Sequence, residues 1–465
     1  MRRFVFVALF ACAQNTVAPP SGTYASGTRL RANVIDGGGG ATLFQSWHDS
    51  DLGFDCFFAP LGDGSLRCVP SADGSGELAY LDAACTQQAL VLTDTPPSSY
   101  VSVLASQPEG PWCGGSPDPM SETVTVYTVG GAQPASTSIF VMSSGSCVPA
   151  TQGNSLVFPA SEADPTTFVG ARAVVESRGA LDSRILVADD GATELAGILD
   201  HATGAPCVMP DSLYSIGDGP VTLRCISPSV AWDGFYDSSS CSGPREAYIG
   251  AGCAPPPLAV SALDAACGPL PVFALGAVDP AVTPYYGSDG ACTAFSYSSL
   301  DFYPETAPAD LSAYPALGEA RLGTGRLELP LVTAAGDGRA LAVETLRTTN
   351  GLPAFFDTAR DKPCGATTFA GALVYCVTAG TAQLTAFADA ACTQPLAQTP
   401  LGCDPPTEAI DGLNMKVVAI SGPWTGPVYQ MQSSCTPVAP TGAYYTVGAA
   451  IDPSSVFPAL TERTE

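Results

Sequence analysis

Positive charge is what this sequence has least of. Only two lysines occur, Lys362 and Lys416, and Lys and Arg together number 18 against 44 Asp and Glu, a formal charge of −26. Without a cationic surface nothing can displace counterions from phosphates, which excludes nucleic acid as a partner. The same shortage excludes charge-driven attachment to anionic lipid. Histidine is equally scarce, with His48 and His201 alone. His48 precedes Asp49 whereas His201 follows Asp200, so in strands the two rings point to opposite faces. The corresponding places near Asp357 hold Phe356 and Thr358. That pattern fits polar residues at strand ends and not a Ser-His-Asp site. His-Glu-x-x-His, a phosphate-binding Gly-rich loop and Cys-x-x-Cys are missing too, and the run Gly37 to Gly40 reads as a hairpin turn. Beyond the first residues no apolar run is long enough to span a membrane. Amphipathic helical patterns are missing, as suits a chain with 48 Gly and 42 Pro.

Cysteine, by contrast, is plentiful: there are 17. In an acidic, turn-rich chain this points to an oxidising compartment. The first residues agree. Met1-Arg-Arg is a positive n-region, Phe4 to Phe10 is apolar, and Leu9-Phe-Ala-Cys12 has the form of a bacterial lipobox, with Cys12 as the acylated residue. Ala11-Cys12-Ala13 also fits ordinary secretory cleavage. Residues 1–12 therefore read as a signal peptide with lipobox and 13–23 as a tether. Location is read as exported, at the outer membrane or cell surface through a lipid anchor, with free secretion or the periplasm as the alternative.

Comparing the chain with itself gives its strongest signal. Asp49, Asp200 and Asp357 each stand seven residues before a cysteine, namely Cys56, Cys207 and Cys364. Second cysteines follow at Cys68, Cys225 and Cys376, and third ones at Cys85, Cys241 and Cys392. The third cysteines close similar stretches: Asp82-Ala-Ala-Cys85-Thr-Gln, Asp389-Ala-Ala-Cys392-Thr-Gln and, more loosely, Asp237-Ser-Ser-Ser-Cys241. Later come Cys147, Cys292 and Cys435, then Asp164-Pro, Asp310-Leu and Asp452-Pro. The unit starts align as Gly27-Thr-Arg-Leu30, Arg184-Ile-Leu186 and Gly325-Arg-Leu327. Three repeat units follow, 24–172, 173–321 and 322–465. Asp-Gly turns at Asp36-Gly37, Asp190-Gly191 and Asp337-Gly338 and period-two runs such as Val124 to Val129 read as hairpins and strands. Eight to ten short strands per unit are expected. Each unit divides into two halves of about four strands, so the architecture expected is all-β, three tandem double units forming a six-bladed β-propeller, with three tandem β-sandwiches as the alternative.

The cysteine intervals of eleven to seventeen residues suit disulfides and not zinc. Local pairing gives 56–68, 113–147, 207–225, 241–253, 267–292, 364–376 and 392–403, which uses Cys113, Cys253, Cys267 and Cys403. It leaves Cys85 and Cys435 to staple the two ends of a ring. Asp49, Asp200, Asp357, Asp82, Asp237 and Asp389 recur in every unit, and a catalytic site in triplicate is unusual. They are read as turn-holding residues whose carboxylates accept backbone N–H groups. Acidic pairs such as Asp49-Ser-Asp51 and Asp189-Asp190 offer oxygens to calcium, but no complete ligand loop is present and no cofactor is expected.

The elements Trp47-His-Asp49, Cys56, Leu66-Arg-Cys68 and Asp82-Ala-Ala-Cys85-Thr-Gln resemble the repeat of uncharacterised cysteine-rich lipoproteins of myxobacteria. The resemblance covers most of the chain. It implies a bacterial envelope location and brings no activity and no catalytic residues. The function expected is a non-catalytic binding or structural role with a protein or glycan partner at the cell surface, touching membrane only through a lipid anchor. The alternative is a polysaccharide-active enzyme working with two carboxylates, for which histidine is not needed.

Overall fold

The computed structural model describes residues 24–70, 77–92, 98–104, 123–134, 137–143, 145–151, 155–207, 224–226, 230–242, 245–253, 257–260, 272–280, 282–288, 291–295, 300–334, 340–342, 355–369, 373–378, 381–399, 405–411, 416–431, 434–438, 440 and 442–465. They form 36 strands, more than the eight to ten per unit read from the turns, and a few three-residue 3-10 turns. The protein is all-β.

The front half of the first unit is a simple antiparallel run. Strands Leu30–Asp36, Thr42–Asp49, Phe54–Pro60 and Leu66–Pro70 pair in chain order. The strand that ends each unit then does something the sequence does not announce. Gly170–Arg178 pairs back onto Leu66–Pro70 and forward onto Leu181–Ala188 of the middle unit. Leu317–Leu322 pairs with Leu327–Ala334 of the last unit, and the adjacent Ala316 bridges to Arg224. Ala459–Thr464 pairs with Leu373–Thr378 of its own unit and with Leu30–Asp36 of the first. One sheet of 15 strands therefore runs through all three front halves. Leu199 bridges Pro206, Arg224 bridges Ala316, and the Cys207–Cys225 disulfide lies between, so Thr193–Asp200 is tied to the segment that leads into Leu317–Leu322. Each back half makes its own seven-stranded sheet. No closed propeller is present among the described residues. Because the last strand of each unit serves two units, the half-units do not separate into blades.

The last residue meets the first described strands. Glu465 N–H donates to the Ala32 carbonyl at 2.9 Å, and the Tyr24 hydroxyl donates to the Glu465 carboxylate at 3.1 Å. Hairpin tips lock neighbouring units as well. The Asp190 carboxylate accepts the N–H groups of Arg29 and Leu30 at 2.9 and 2.6 Å. It fills the space beside Gly27, where a Cβ would lie 2.2 Å from Asp190 Oδ2. Gly39, at φ +61°, accepts the Thr324 N–H of the last unit at 3.0 Å.

Strand register corrects the alignment of the unit starts. Leu30 faces Asp49, Leu327 faces Asp357, and Leu181 faces Asp200. The middle unit therefore starts at Ala180-Leu181, three residues before Arg184. Trp47, Phe168, Phe355 and Phe457 are fully buried, and the core of the long sheet is built on them and on leucines such as Leu30 and Leu327.

Six disulfides are described: 56–68, 207–225 and 364–376 within the front halves, and 85–147, 241–292 and 392–435 within the back halves. The second set overturns the local pairings 113–147, 241–253, 267–292 and 392–403 and the staple between Cys85 and Cys435. The reason is a hairpin in each unit. Ile139–Ser143, Tyr285–Ser288 and Val428–Met431 each pair with the strand before the third cysteine and with a returning strand that carries the later one. The return brings Cys147, Cys292 and Cys435 beside the loop carbonyls of Asp82, Ser238 and Asp389. Cys253 is also disulfide-bonded. Cys12, Cys113, Cys267 and Cys403 lie outside the described residues.

Candidate functional site

The repeated aspartates are placed as follows. Asp49 is fully buried and accepts a two-point hydrogen bond from the Arg29 guanidinium at 2.8 and 2.7 Å, together with the N–H groups of Asp51 and Leu52. Arg29 also donates to the Thr167 carbonyl at 3.0 Å. Asp357 repeats this set with Arg326, the Ala359 N–H and the Val456 carbonyl. Asp200 accepts the Ala202 N–H at 2.8 Å, but Ala180 occupies the arginine position. These carboxylates are engaged in folding hydrogen bonds, and the planar fork matches them at two points.

The second aspartate set divides. Asp82 accepts the Thr86 hydroxyl at 2.6 Å and the N–H groups of Thr86 and Gln87, and Asp389 does the same with Thr393 and Gln394. Hydrogen bonds, from the threonine hydroxyl first, hold both carboxyls below the usual range. In both loops the cysteine N–H donates to the aspartate carbonyl, and the cysteine itself is left-handed, at φ 52° and 51°. In the middle unit Ser238, not Asp237, takes this place: Cys241 N–H donates to the Ser238 carbonyl, and the Ser238 hydroxyl donates to Ser242 O. Tyr80, Tyr236 and Phe387 each stand five residues before their cysteine, so Asp237 falls at the position of Leu81 and Ala388, and the extra residue of the middle loop lies after Cys241.

That displacement points to a site. Strand pairing sets Tyr80, Tyr236 and Phe387 at equivalent places, opposite Gln88, Arg245 and Pro395. The next residues of the second strand are Ala89, Glu246 and Leu396. Ala89 and Leu396 are fully buried apolar residues, and Glu246 is buried with 3% exposure. Around them the first unit packs Ala89, Ile139, Val157, Leu81, Val91 and Ala150. The last unit packs Ala386, Leu396, Val428, Tyr444 and Val438. The middle unit instead gathers aromatic rings. Phe235 lies 5.1 Å from Tyr248, 4.8 Å from Phe295, 5.4 Å from Phe302 and 6.1 Å from Tyr286, centroid to centroid. Side chains two apart on a strand share a face, so Glu246 stands on the face of Tyr248, opposite Phe235. Arg245 points the other way, with its guanidinium over the Tyr236 ring.

Glu246 Oε2 is buried and has no hydrogen-bond partner among the described residues. Burial first, then the charges of Asp279 and Asp237, push its carboxyl up to about 7. Asp279, whose charge acts on Glu246, also lines a nearby cavity of about 410 Å³ with Pro284, Phe295, Asp301, Phe302, Val278, Pro280, Val282, Thr283 and Leu300, and Glu246 itself is not among the lining residues. A buried carboxyl with one oxygen unmatched, set against aromatic faces, is a strong acceptor awaiting a donor. Reading the sequence residue by residue missed Glu246, because it lies in an ordinary strand with no motif. Aligning the three units on their tyrosines and cysteines puts Arg245 in the column of Ala89 and Leu396, and only strand register, which absorbs the extra residue after Cys241, brings Glu246 there.

The remaining candidates are simpler. His48 Nδ1 lies 2.8 Å from Asp55, and His201 Nδ1 lies 2.9 Å from Asp182. Among the described residues no group of three or more His, Cys, Asp or Glu could hold a metal ion, and Asp49 is turned to Arg29. Glu194 accepts the Trp47 indole N–H at 2.9 Å, and burial raises its carboxyl to about 7. No helix of the described residues is long and apolar enough to cross a membrane. The disulfides point to an oxidising compartment outside the cytoplasm.

Comparison with curated proteins and with solved structures gave no match. A family model does match, over residues 5–461 and thus nearly the whole chain, and the protein belongs to that family of unknown function, DUF7481.

Proposed function

We propose that this is an exported, lipid-anchored envelope protein that binds a ligand through its middle unit without transforming it. One observation carries the binding role: of three equivalent faces, the first closes on Ala89, Ile139 and Val157 and the last on Leu396, Val428 and Tyr444, whereas the middle one holds a buried carboxyl and a ring cluster of which Phe295 and Phe302 line a nearby cavity. A scaffold alone gains nothing from such a replacement, since an unpaired buried carboxyl costs stability. The anchoring part rests on the lipobox at Cys12. The cell-surface setting accords with the strong negative charge and the disulfides.

A second reading has its own support. A carboxyl raised to about 7 near the carboxylate of Asp279 is the arrangement an acid–base pair in polysaccharide cleavage would use. One experiment separates the two. Immobilised full-length protein and its Glu246→Gln variant are exposed to small molecules and oligosaccharides extracted from cell envelopes, and bound material is eluted and weighed. A compound held by the wild type, lost by the variant and recovered intact supports binding. Recovery of a cleaved product supports the enzyme. Identical retention by both proteins removes the middle-unit site from either reading.

A further inference from the structure

We infer that the open edge of strand Gly170–Arg178 pairs with the same edge of a second copy of this chain, giving a two-fold dimer.

Two ladders of unequal length define the edge. On one side the strand pairs with Leu181–Ala188 from Ala171 to Arg178. On the other it pairs with Leu66–Pro70 at Gly170 and Ala171, and no further strand adjoins it among the described residues. The Gly170 carbonyl accepts the Asp189 N–H at 2.8 Å, and the Val169 carbonyl accepts the Cys68 N–H at 2.9 Å. Main-chain groups alternate in direction along a strand. Those of Ala173, Val175 and Ser177 therefore point to the open side, where they meet no partner among the described residues. All three residues are exposed, Val175 at 51%. Such an edge is a template for another strand, and neither a proline nor a bulge protects this one.

The residues of the edge select its occupant. Antiparallel pairing of two copies about Val174 sets Ala173 against the partner's Val175, and Val175 against the partner's Ala173. These are residues whose N–H and C=O groups point outward, so each pair exchanges both hydrogen bonds. The same register sets Arg172 opposite the partner's Glu176 and Glu176 opposite the partner's Arg172, at the sites where cross-strand side chains lie closest. A two-fold axis at Val175 would set Glu176 against the partner's Val174 and lose both charge pairs. A foreign strand has to supply an acid and a base at these two places, whereas a second copy already carries them. The equivalent strands are less suited. Arg321 of Leu317–Leu322 is committed to the Phe356 ring and Glu328, and pairing of Ala459–Thr464 about Arg463 would set Glu462 against the partner's Thr464.

The fork leaves room for the partner. A cleft of about 440 Å³ opens there, with Pro60, Gly64 and Ser65 on one side and Ala171, Arg172 and Ala173 on the other. The partner's turn at Gly179-Ala180 arrives beside this cleft and carries no bulky side chain. Each copy has a formal charge of −26, and that repulsion keeps the dimer dependent on concentration.

The test is sedimentation equilibrium of the oxidised full-length protein across a range of concentrations. A dimer in reversible exchange with monomer is expected. Val175→Pro removes an outward N–H without touching the ladder to Leu181–Ala188 and should leave monomer alone. Arg172→Glu sets acid against acid and should weaken the dimer about tenfold. The double variant Arg172→Glu, Glu176→Arg exchanges the charges and should restore it. Circular dichroism checks the fold of each variant, and the charge exchange decides the matter if the proline variant misfolds. A monomer at every concentration overturns the inference and leaves the edge to a foreign strand. A dimer kept by folded Val175→Pro, one indifferent to Arg172→Glu, or one that the charge exchange fails to restore overturns it as well.

Discussion

The back halves of the outer units and of the middle unit share a backbone but not an interior. Ala89, Val157 and Ala150 close the face in the first unit, and Leu396, Val428 and Val438 close it in the last. Phe235, Phe302 and Glu246 occupy it in the middle unit. The front halves differ in parallel. Arg29–Asp49 and Arg326–Asp357 are two-point ion pairs, whereas Asp200 faces a unit that begins with Ala180. The outer units thus show what the fold requires, and the middle unit shows what can be subtracted from it or added to it. Repeats that diverge in one copy mark the added chemistry more clearly than any motif.

The largest effect expected from breaking this pattern comes from the long disulfides. Replacing Cys241 and Cys292 with alanine opens a loop with a sequence separation of 51, which the chain-entropy model values at about 4 kcal/mol. The same change at Cys85 and Cys147 should cost a similar amount. Only the middle-unit variant should lose ligand retention, because its bond ties the strand before Phe295 to the loop after Phe235. Equal losses of retention in both variants would show that the site depends on the whole molecule and not on its own unit.

Next comes the ion pair. Asp357→Ala removes the two-point hydrogen bond from Arg326 and a turn hydrogen bond, while the exposed guanidinium returns to water, at a cost of about 2 kcal/mol. Asp200→Ala removes a turn hydrogen bond without stranding a charge and should cost about 1 kcal/mol. Urea unfolding under oxidising conditions measures both. Losses of the same size would mean that the arginines add nothing and that the outer units are not the better-built ones.

Much of this was legible in the sequence, and the reasons for the rest are physical. Strands and tight turns follow from local alternation and Asp-Gly pairs, so the all-β class is visible. The front disulfides join cysteines on adjacent strands of one short hairpin, so nearest-neighbour pairing works there. It fails for Cys85, Cys241 and Cys392, whose partners return over long loops on another hairpin. The joining of the first and last units in the long sheet is likewise non-local: nothing in Ala459–Thr464 says that it will pair with Leu30–Asp36. Asp237 looked like a copy of Asp82 because both precede a cysteine, but strand pairing puts Ser238 at the position of Asp82, and Asp237 stands one residue earlier. Glu246 carried no signal, because only strand register brings it into the column of Ala89 and Leu396.

Glu246 also gives the molecule a pH signature that the outer units lack. Its carboxyl is raised from 4.5 to about 7 in the folded protein. Between these values the folded state holds a proton that the unfolded state has released. Stability therefore falls as pH rises through this window, and the full cost, about 3 kcal/mol, is present above it. Glu246→Leu, the residue of the last unit, removes that cost. It should leave the protein more stable than wild type at pH 8, with the gain shrinking toward zero near pH 4.5. A gain that does not vary with pH would mean that packing, and not the carboxylate, sets the difference. Glu194, raised for the same reason, should add a slope of the same sign that the leucine variant retains.

The smallest effect tests whether the loop and the face are one device or two. Asp82 holds its loop with three hydrogen bonds to Thr86 and Gln87, whereas the single hydroxyl of Ser238 is shared between Ser240 and Ser242. Restoring the outer-unit chemistry with Ser238→Asp and Ser242→Thr should stabilise the protein by about 0.5–1 kcal/mol, the usual return from an improved turn. The position of Asp237 is left alone, so ligand binding should not change if the face is set by strand pairing. If binding falls while stability rises, the looser serine loop is part of the site. The middle unit would then have given up its aspartate so that the Cys241 loop could adjust around a ligand.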